Sequence, residues 1–194
     1  MCKLNEFLKP SECIDHDKPE IIALAEDLSS SLDSDEEIAR VCFEWVRDNI
    51  KHSADYKLNP VTCIASDVLK HKTGYCYAKS HLLAALLRAN GIPSGLCYQR
   101  LSINENGAPY SLHGLNAVYL KKYGWYRIDA RGNKKGVDAQ FCPPHEKLAF
   151  ELNFESEFDV PEVFTEPLTV VISTLEKYET YIDVLENLPD IELD

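Results

Sequence analysis

No stretch of about 18 consecutive apolar residues occurs in the 194-residue chain, so no membrane-spanning helix is expected. The opening residues, Met1 to Pro10, hold no apolar run of the kind a secretory signal needs, so no export signal is read there. Positive charge is scarce: 20 Lys and Arg against 32 Asp and Glu leave a formal net charge of −12. Such a surface repels phosphate backbones and anionic lipids, which argues against nucleic acid or a membrane as the main partner. No Cys-x-x-Cys pair occurs among the seven cysteines, and their spacings match no zinc pattern. No dense acidic loop resembles a calcium site, since Asp33 to Glu37 reads better as a helix start. No metal and no cofactor are therefore expected. Scattered cysteines without a signal peptide suggest a reducing, cytoplasmic setting, in which most are small buried apolar residues.

What is present looks globular: 45% apolar, 10% aromatic and 27% charged residues. The length suits one domain over residues 1–194, able to bury roughly 70% of its unfolded surface without a disulfide or metal staple. Residues 1–18 read as a polar surface arm or short strand. Pro19 can open a helix running to about Ser30. Ser34, with Glu37 three residues on, can cap a second helix that carries Ile38, Val41, Cys42, Trp45 and Val46 at helical spacing. Residues 51–65 read as a loop with Asn59-Pro60 as a breaker, and Ser66 can cap a short helix to about Lys70. A strong helix then runs from Cys76 to Asn90 and stops at Gly91. Segments 95–103, 111–120 and 125–130 are rich in β formers and should pair antiparallel. Residues 141–150 can add a turn and a short strand, and one final helix is expected from about Pro167 through Leu185. Helices first, strands second and a helix last indicate an α+β fold.

Cys76 is the cysteine that asks for more than a core role. At the front of a helix, a thiol meets the positive end of the helix dipole and free backbone N–H groups, and both favour the thiolate. The same N–H groups can receive the oxyanion of a tetrahedral intermediate. Gly74 permits a tight turn before it. His113 opens a β segment and can serve as acid/base near neutral pH. Asp129 ends the next strand and can orient the imidazole. A hairpin turn centred on Lys122-Tyr123 would pair Leu120 with Trp125 and Asn116 with Asp129, leaving His113 roughly 10 Å away along the strand. Singly, each residue has a plainer role: Cys76 as a core thiol, His113 as a strand-end histidine, Asp129 as a turn residue. Together they suggest a triad.

Three segments in order resemble the transglutaminase-like superfamily of papain-type fold. Gly74-Tyr75-Cys76-Tyr77-Ala78-Lys79-Ser80, running into Ile92-Pro93, resembles its nucleophile helix and exit. His113-Gly114-Leu115-Asn116-Ala117-Val118-Tyr119-Leu120 resembles its histidine strand, and Gly124-Trp125-Tyr126-Arg127-Ile128-Asp129-Ala130 its aspartate strand. Trp45 to Ile50 resembles the helix end that precedes the site. The likeness spans about 38–133, with about 140–194 as a C-terminal extension. It implies a nucleophile helix packed on an antiparallel sheet, with Cys76 as nucleophile, His113 as acid/base and Asp129 as orienting acid. Two departures stand out. Leu115 replaces an aromatic common two residues after the histidine, and no tryptophan lies just upstream of Cys76 to donate to an oxyanion. The Tyr56 hydroxyl is a candidate donor instead, and Gly74, Tyr75 and Asn116 are further candidates for oxyanion or substrate contacts.

The expected activity is acyl cleavage or transfer at an amide bond of a peptide, protein or small amide, through a Cys76 acyl-enzyme. Hydrolysis is favoured because water is always present and no amine site is evident. Two alternatives stand beside it. One is a non-catalytic binding module that retains the fold. The other is an arylamine-type acyltransferase, which lacks here a basic patch for cofactor phosphates.

Overall fold

A computed structural model describes residues 4–104 and 107–191. The chain begins with a short 3-10 turn, Leu4–Leu8, followed by helices α1 (Pro19–Ser29) and α2 (Asp35–Asn49). The short strand β1 (Lys51–His52), the helical turn α3 (Ser53–Tyr56), helix α4 (Ala65–His71) and the short strand β2 (Thr73–Gly74) lead into helix α5 (Cys76–Ala89). Strands β3 (Ser94–Ser102), β4 (Tyr110–Leu120) and β5 (Gly124–Ile128) follow. Then come β6 (Gln140–Cys142), β7 (His145–Lys147), β8 (Phe158–Asp159), α6 (Thr169–Lys177) and α7 (Tyr181–Glu186). The main sheet is antiparallel, in the order β5-β4-β3-β8, and the fold is α+β.

Helix α5 is the centre of the molecule. Every residue from Cys76 to Arg88 is buried, polar ones included. A helix buried on all sides has no solvent face to keep. Leu82, Leu83, Leu86 and Leu87 are fully buried, and each contributes about 1.5–3 kcal/mol by transfer from water. Arg88 does not waste its burial: its guanidinium donates to the carbonyls of Lys9, Ser94 and Thr165, joining three distant segments. The helix ends at Gly91, whose φ of +70° lies in the left-handed region.

The second helix starts as its sequence predicts. Ser34 Oγ accepts from the Glu37 N–H at 3.2 Å and donates to the Glu37 carboxylate at 2.8 Å. Four expectations need correction. Cys13 and Ile14, placed in a surface arm, are buried in the core. The expected loop at 51–65 contains β1, which pairs in parallel with β2 so that His52 stands beside Gly74. Ser66 does not cap α4 with its own oxygen; instead its N–H and hydroxyl both donate to the Asp15 carboxylate, at 3.0 and 2.6 Å. The final helix is broken at Tyr178, because Thr180 caps a new one by accepting from the Asp183 N–H. That break lets α7 lie against α3 and reach the cleft described below.

The β4–β5 register also differs from the simple hairpin. Leu120 pairs with Gly124, Tyr119 with Trp125 and Asn116 with Ile128. The Tyr123 N–H donates to the Leu120 carbonyl at 3.1 Å, and Gly124 follows with φ +77°. This is a three-residue loop closed by a left-handed glycine. A one-residue shift moves every side chain to the other face. Asp129, just past β5, therefore comes into line with Leu115 and shares the face of His113.

Candidate active site

Cys76 is the first residue of α5, with Tyr75 at the cap and no side chain capping the free N–H groups. The thiol is buried, with 6% exposure, and lines a cavity of about 510 Å³ together with His113 and His52. Gly74 is needed here for closeness rather than for a turn. A Cβ on it would lie 3.1 Å from Ala78 Cβ and 3.2 Å from Thr62 Oγ1. Strand β4 is stitched to the helix on both sides of the thiol's height. The Tyr77 hydroxyl donates to the Leu112 carbonyl, and the Asn116 amide donates to the Ser80 carbonyl at 2.9 Å. Between these ties, the Gly114 N–H points at Cys76 Sγ at 3.4 Å.

His113 Nε2–H donates to Asp129 Oδ2 at 2.7 Å. That leaves Nδ1 as the ring nitrogen free for the thiol. Burial opposes charge on His113, but the Asp129 carboxylate and the Cys76 sulfur outweigh it, and its pKa is raised to about 10. Burial likewise opposes charge on Asp129, which is fully enclosed. The His113 imidazolium, with N–H donors from Ala149 at 3.0 Å and Arg131 at 3.1 Å, nonetheless keeps it below the ordinary carboxylate value. Phe150 stands edge-on to the imidazole, with ring centroids 4.9 Å apart, and fixes the plane in which it can turn.

The model of the transglutaminase-like superfamily matches residues 22–130, more than half of the chain. The chain belongs to the transglutaminase-like superfamily.

Among solved structures, a candidate cysteine protease from Cytophaga hutchinsonii aligns with a TM-score of 0.53 and 22% identity. The alignment covers 66% of this chain and 42% of that one. The periplasmic domain of TgpA from Pseudomonas aeruginosa aligns with a TM-score of 0.48 and 18% identity, over 67% of this chain and 47% of that one. The chain thus spans less than half the length of these two proteins, and its likeness to the first is one of fold. No curated protein matches the chain. Among the described residues, no helix is long and apolar enough to cross a membrane.

The remaining sequence candidates lie as follows in this superfamily member. Tyr75 lines the cavity, but its hydroxyl donates to the Tyr181 carbonyl at 2.5 Å and so ties α7 to the cleft. Asn116 is fully buried between β4 and α5 and serves their packing. Tyr56 is 58% exposed, with Lys51 Nζ over its ring, and lines a neighbouring hollow rather than the cavity at the thiol. Trp45 is partly buried against the core, as its helical pattern implies, and Lys72 Nζ lies over its ring at 4.6 Å.

Sequence reasoning missed His52. The β1–β2 pairing sets it beside the nucleophile turn, where it is buried, edge-on to Tyr75, and lines the cavity. Its Nδ1 has no hydrogen-bond partner; the nearest carboxylate oxygen, on Asp55, is 3.9 Å away. Burial first, and then the nearby Arg131 cation, hold its pKa well below the ordinary value, so the ring is neutral. Asp55 is itself occupied by Arg131, at 2.6 and 3.1 Å, and by Lys134 at 2.6 Å. This ion pair fastens α3 to the turn that carries Asp129. The signal was a histidine three residues past the end of α2, in a stretch with no apolar periodicity to place it.

Proposed function

We propose that the protein is a cysteine hydrolase or acyltransferase acting on amide bonds, with Cys76 as nucleophile, His113 as acid/base and Asp129 as orienting acid. The 2.7 Å bond from His113 Nε2 to Asp129 Oδ2 carries this reading, because it fixes the ring and leaves Nδ1 for the sulfur. Cys76 Sγ attacks the carbonyl carbon as a thiolate, and the carbonyl oxygen takes the negative charge. The N–H of Cys76, at the uncapped start of α5, is the donor suited to that oxyanion. His113 gives its proton to the leaving nitrogen as the C–N bond breaks, and a thioester remains. Water then releases the acid, or an amine releases a new amide.

The cavity suits a chain with an apolar group beside the scissile bond. Leu101, Ile103, Leu185 and Leu188 form part of its wall, the last two from the C-terminal extension. The substrate is a peptide, a protein or a small amide, and hydrolysis is the favoured outcome because water is always present as an acceptor.

The test is ammonia release from glutamine peptides, with and without an added primary amine, followed by intact-mass analysis of acid-quenched enzyme. The expected result is turnover with a mass adduct on Cys76 that is lost in Cys76→Ser. Turnover that survives Cys76→Ser would refute the assignment of the nucleophile. Binding of peptides with no adduct and no turnover would favour a non-catalytic binding module.

A further inference from the structure

Away from the cleft, Cys13, Cys63 and His81 converge from three parts of the chain. Cys13 follows the N-terminal turn, Cys63 precedes α4, and His81 lies on α5 little more than a turn beyond Cys76. All three are buried, at 4%, 9% and 0% exposure. The two sulfurs are 3.7 Å apart, and a ring nitrogen of His81 lies with them so that all three ligand atoms fall within 4.8 Å of one another. Two thiolates bound to a tetrahedral zinc at about 2.3 Å stand about 3.8 Å apart, so the sulfurs already hold that spacing.

The histidine supplies the second observation. His81 Nδ1 is 2.7 Å from the Cys63 carbonyl oxygen and must carry the proton that it donates there. Nε2 is then the lone-pair nitrogen, and it has no partner in a fully buried ring. A buried polar atom left unpaired costs about 1–3 kcal/mol, and a metal ion removes that cost. Metal-bound histidines characteristically donate their other N–H to a backbone carbonyl, as this one does. Two thiolates and a neutral imidazole balance a divalent cation. An open hollow bordered by Cys63, Asp67 and Glu176 offers a way in and room for a fourth ligand.

We propose that Cys13, Cys63 and His81 bind a soft divalent cation, zinc first, at a site separate from the catalytic cleft. Cys13 and Cys63 lie 50 residues apart, so the spacing of the cysteines in sequence could not show this site. The ion staples the N-terminal segment and the loop before α4 to the helix that carries Cys76. It stands as a structural site, independent of the reading of Cys76 as a nucleophile.

The test uses the full chain carrying Cys76→Ser, so that the cleft thiol cannot bind the probe. Reduced, metal-stripped protein is titrated anaerobically with Co(II) and then with Zn(II). One Co(II) per chain is expected, with a thiolate-to-cobalt charge-transfer band and strong tetrahedral visible absorption, both abolished by zinc. Cys13→Ser and Cys63→Ser, each added to that background, should weaken binding at least about tenfold with unchanged far-UV circular dichroism, since even supporting partners are worth about 10–100-fold. His81→Gln should do the same; if it does not fold, the two serine variants decide. No charge-transfer band, a band that survives both serine variants, or a Cys13–Cys63 disulfide formed in place of metal uptake would overturn the proposal.

Discussion

A Cβ on Gly114 would sit 2.9 Å from Tyr77 Cδ1 and 3.1 Å from Tyr77 Cα. No L side chain fits there without moving β4 off the start of α5, and His113 and Cys76 face each other across that contact. Gly114→Ala is expected to cost about 1–3 kcal/mol of stability through overpacking. It should lower turnover far more than stability explains, by about a hundredfold, because a 1 Å displacement of reacting groups costs that much. Thermal unfolding and steady-state rates on the same preparation check both. Activity near wild type would show that the close approach is not needed.

Asp129→Asn keeps the shape of the acid and removes its charge. The His113 pKa, now raised to about 10, should fall, and the alkaline limb of the rate profile should move to lower pH with it. Loss of the orienting charge should reduce kcat on the order of 10³–10⁴-fold near neutrality. The measurement is a pH–rate profile of wild type and variant. Superimposable profiles would remove Asp129 from the mechanism.

The same pair sets a pH window for stability. His113 is raised above its ordinary 6.5, so its contribution is complete below that pH and is lost as pH rises through about 10. Asp129 is lowered below 3.8, so its contribution is present above that value and is lost as pH falls through its depressed pKa. The protein should therefore lose stability between about pH 7 and pH 10.5 more steeply than His113→Gln does. Denaturant unfolding across that range gives the difference, which should be a few kcal/mol at most. Parallel curves would contradict the pairing.

His52 should act on substrate rather than on the thiol. The His52 ring lines the cavity while its Nδ1 is enclosed on the Asp55 side, so it is the rest of the ring that meets bound substrate, and a bond there is worth about 1 kcal/mol. His52→Asn is expected to lower kcat/KM about tenfold while the alkylation rate of Cys76 stays within about threefold of wild type. A larger loss of alkylation would place His52 among the groups that activate the sulfur.

Much of this site could be read from sequence because it depends on local rules. The capping box at Ser34, the buried run from Cys76 to Arg88 and the glycine stop at 91 are written in neighbouring residues. What escaped depends on contacts between distant segments. The β4–β5 register turned on Gly124 accepting a left-handed φ, and a shift of one residue decided whether His113 and Asp129 share a face. His52 enters the cleft through a two-residue strand pairing that no periodicity marks. The break at Tyr178 was signalled by Thr180 with Asp183 three residues on, a capping pattern overlooked inside a continuous apolar stripe. Cys13, Cys63 and His81 meet where Asp15, Arg88 and the Cys13 carbonyl, which accepts from the Ala65 N–H at 3.0 Å, hold the N-terminal segment against α4 and α5.

The most direct test of the account is the pH dependence of Cys76 alkylation. Native protein is treated with limiting iodoacetamide from about pH 6 to pH 8.5, and the adducts are mapped by mass spectrometry; a free thiol ionises near 8.5, so its rate rises about tenfold per pH unit over most of that range. Cys76 paired with His113 should label selectively at pH 6 and at a nearly constant rate throughout, and His113→Ala should restore the steep rise. Wild-type Cys76 that labels no faster than the other cysteines, or that follows the steep line already, would contradict the claim.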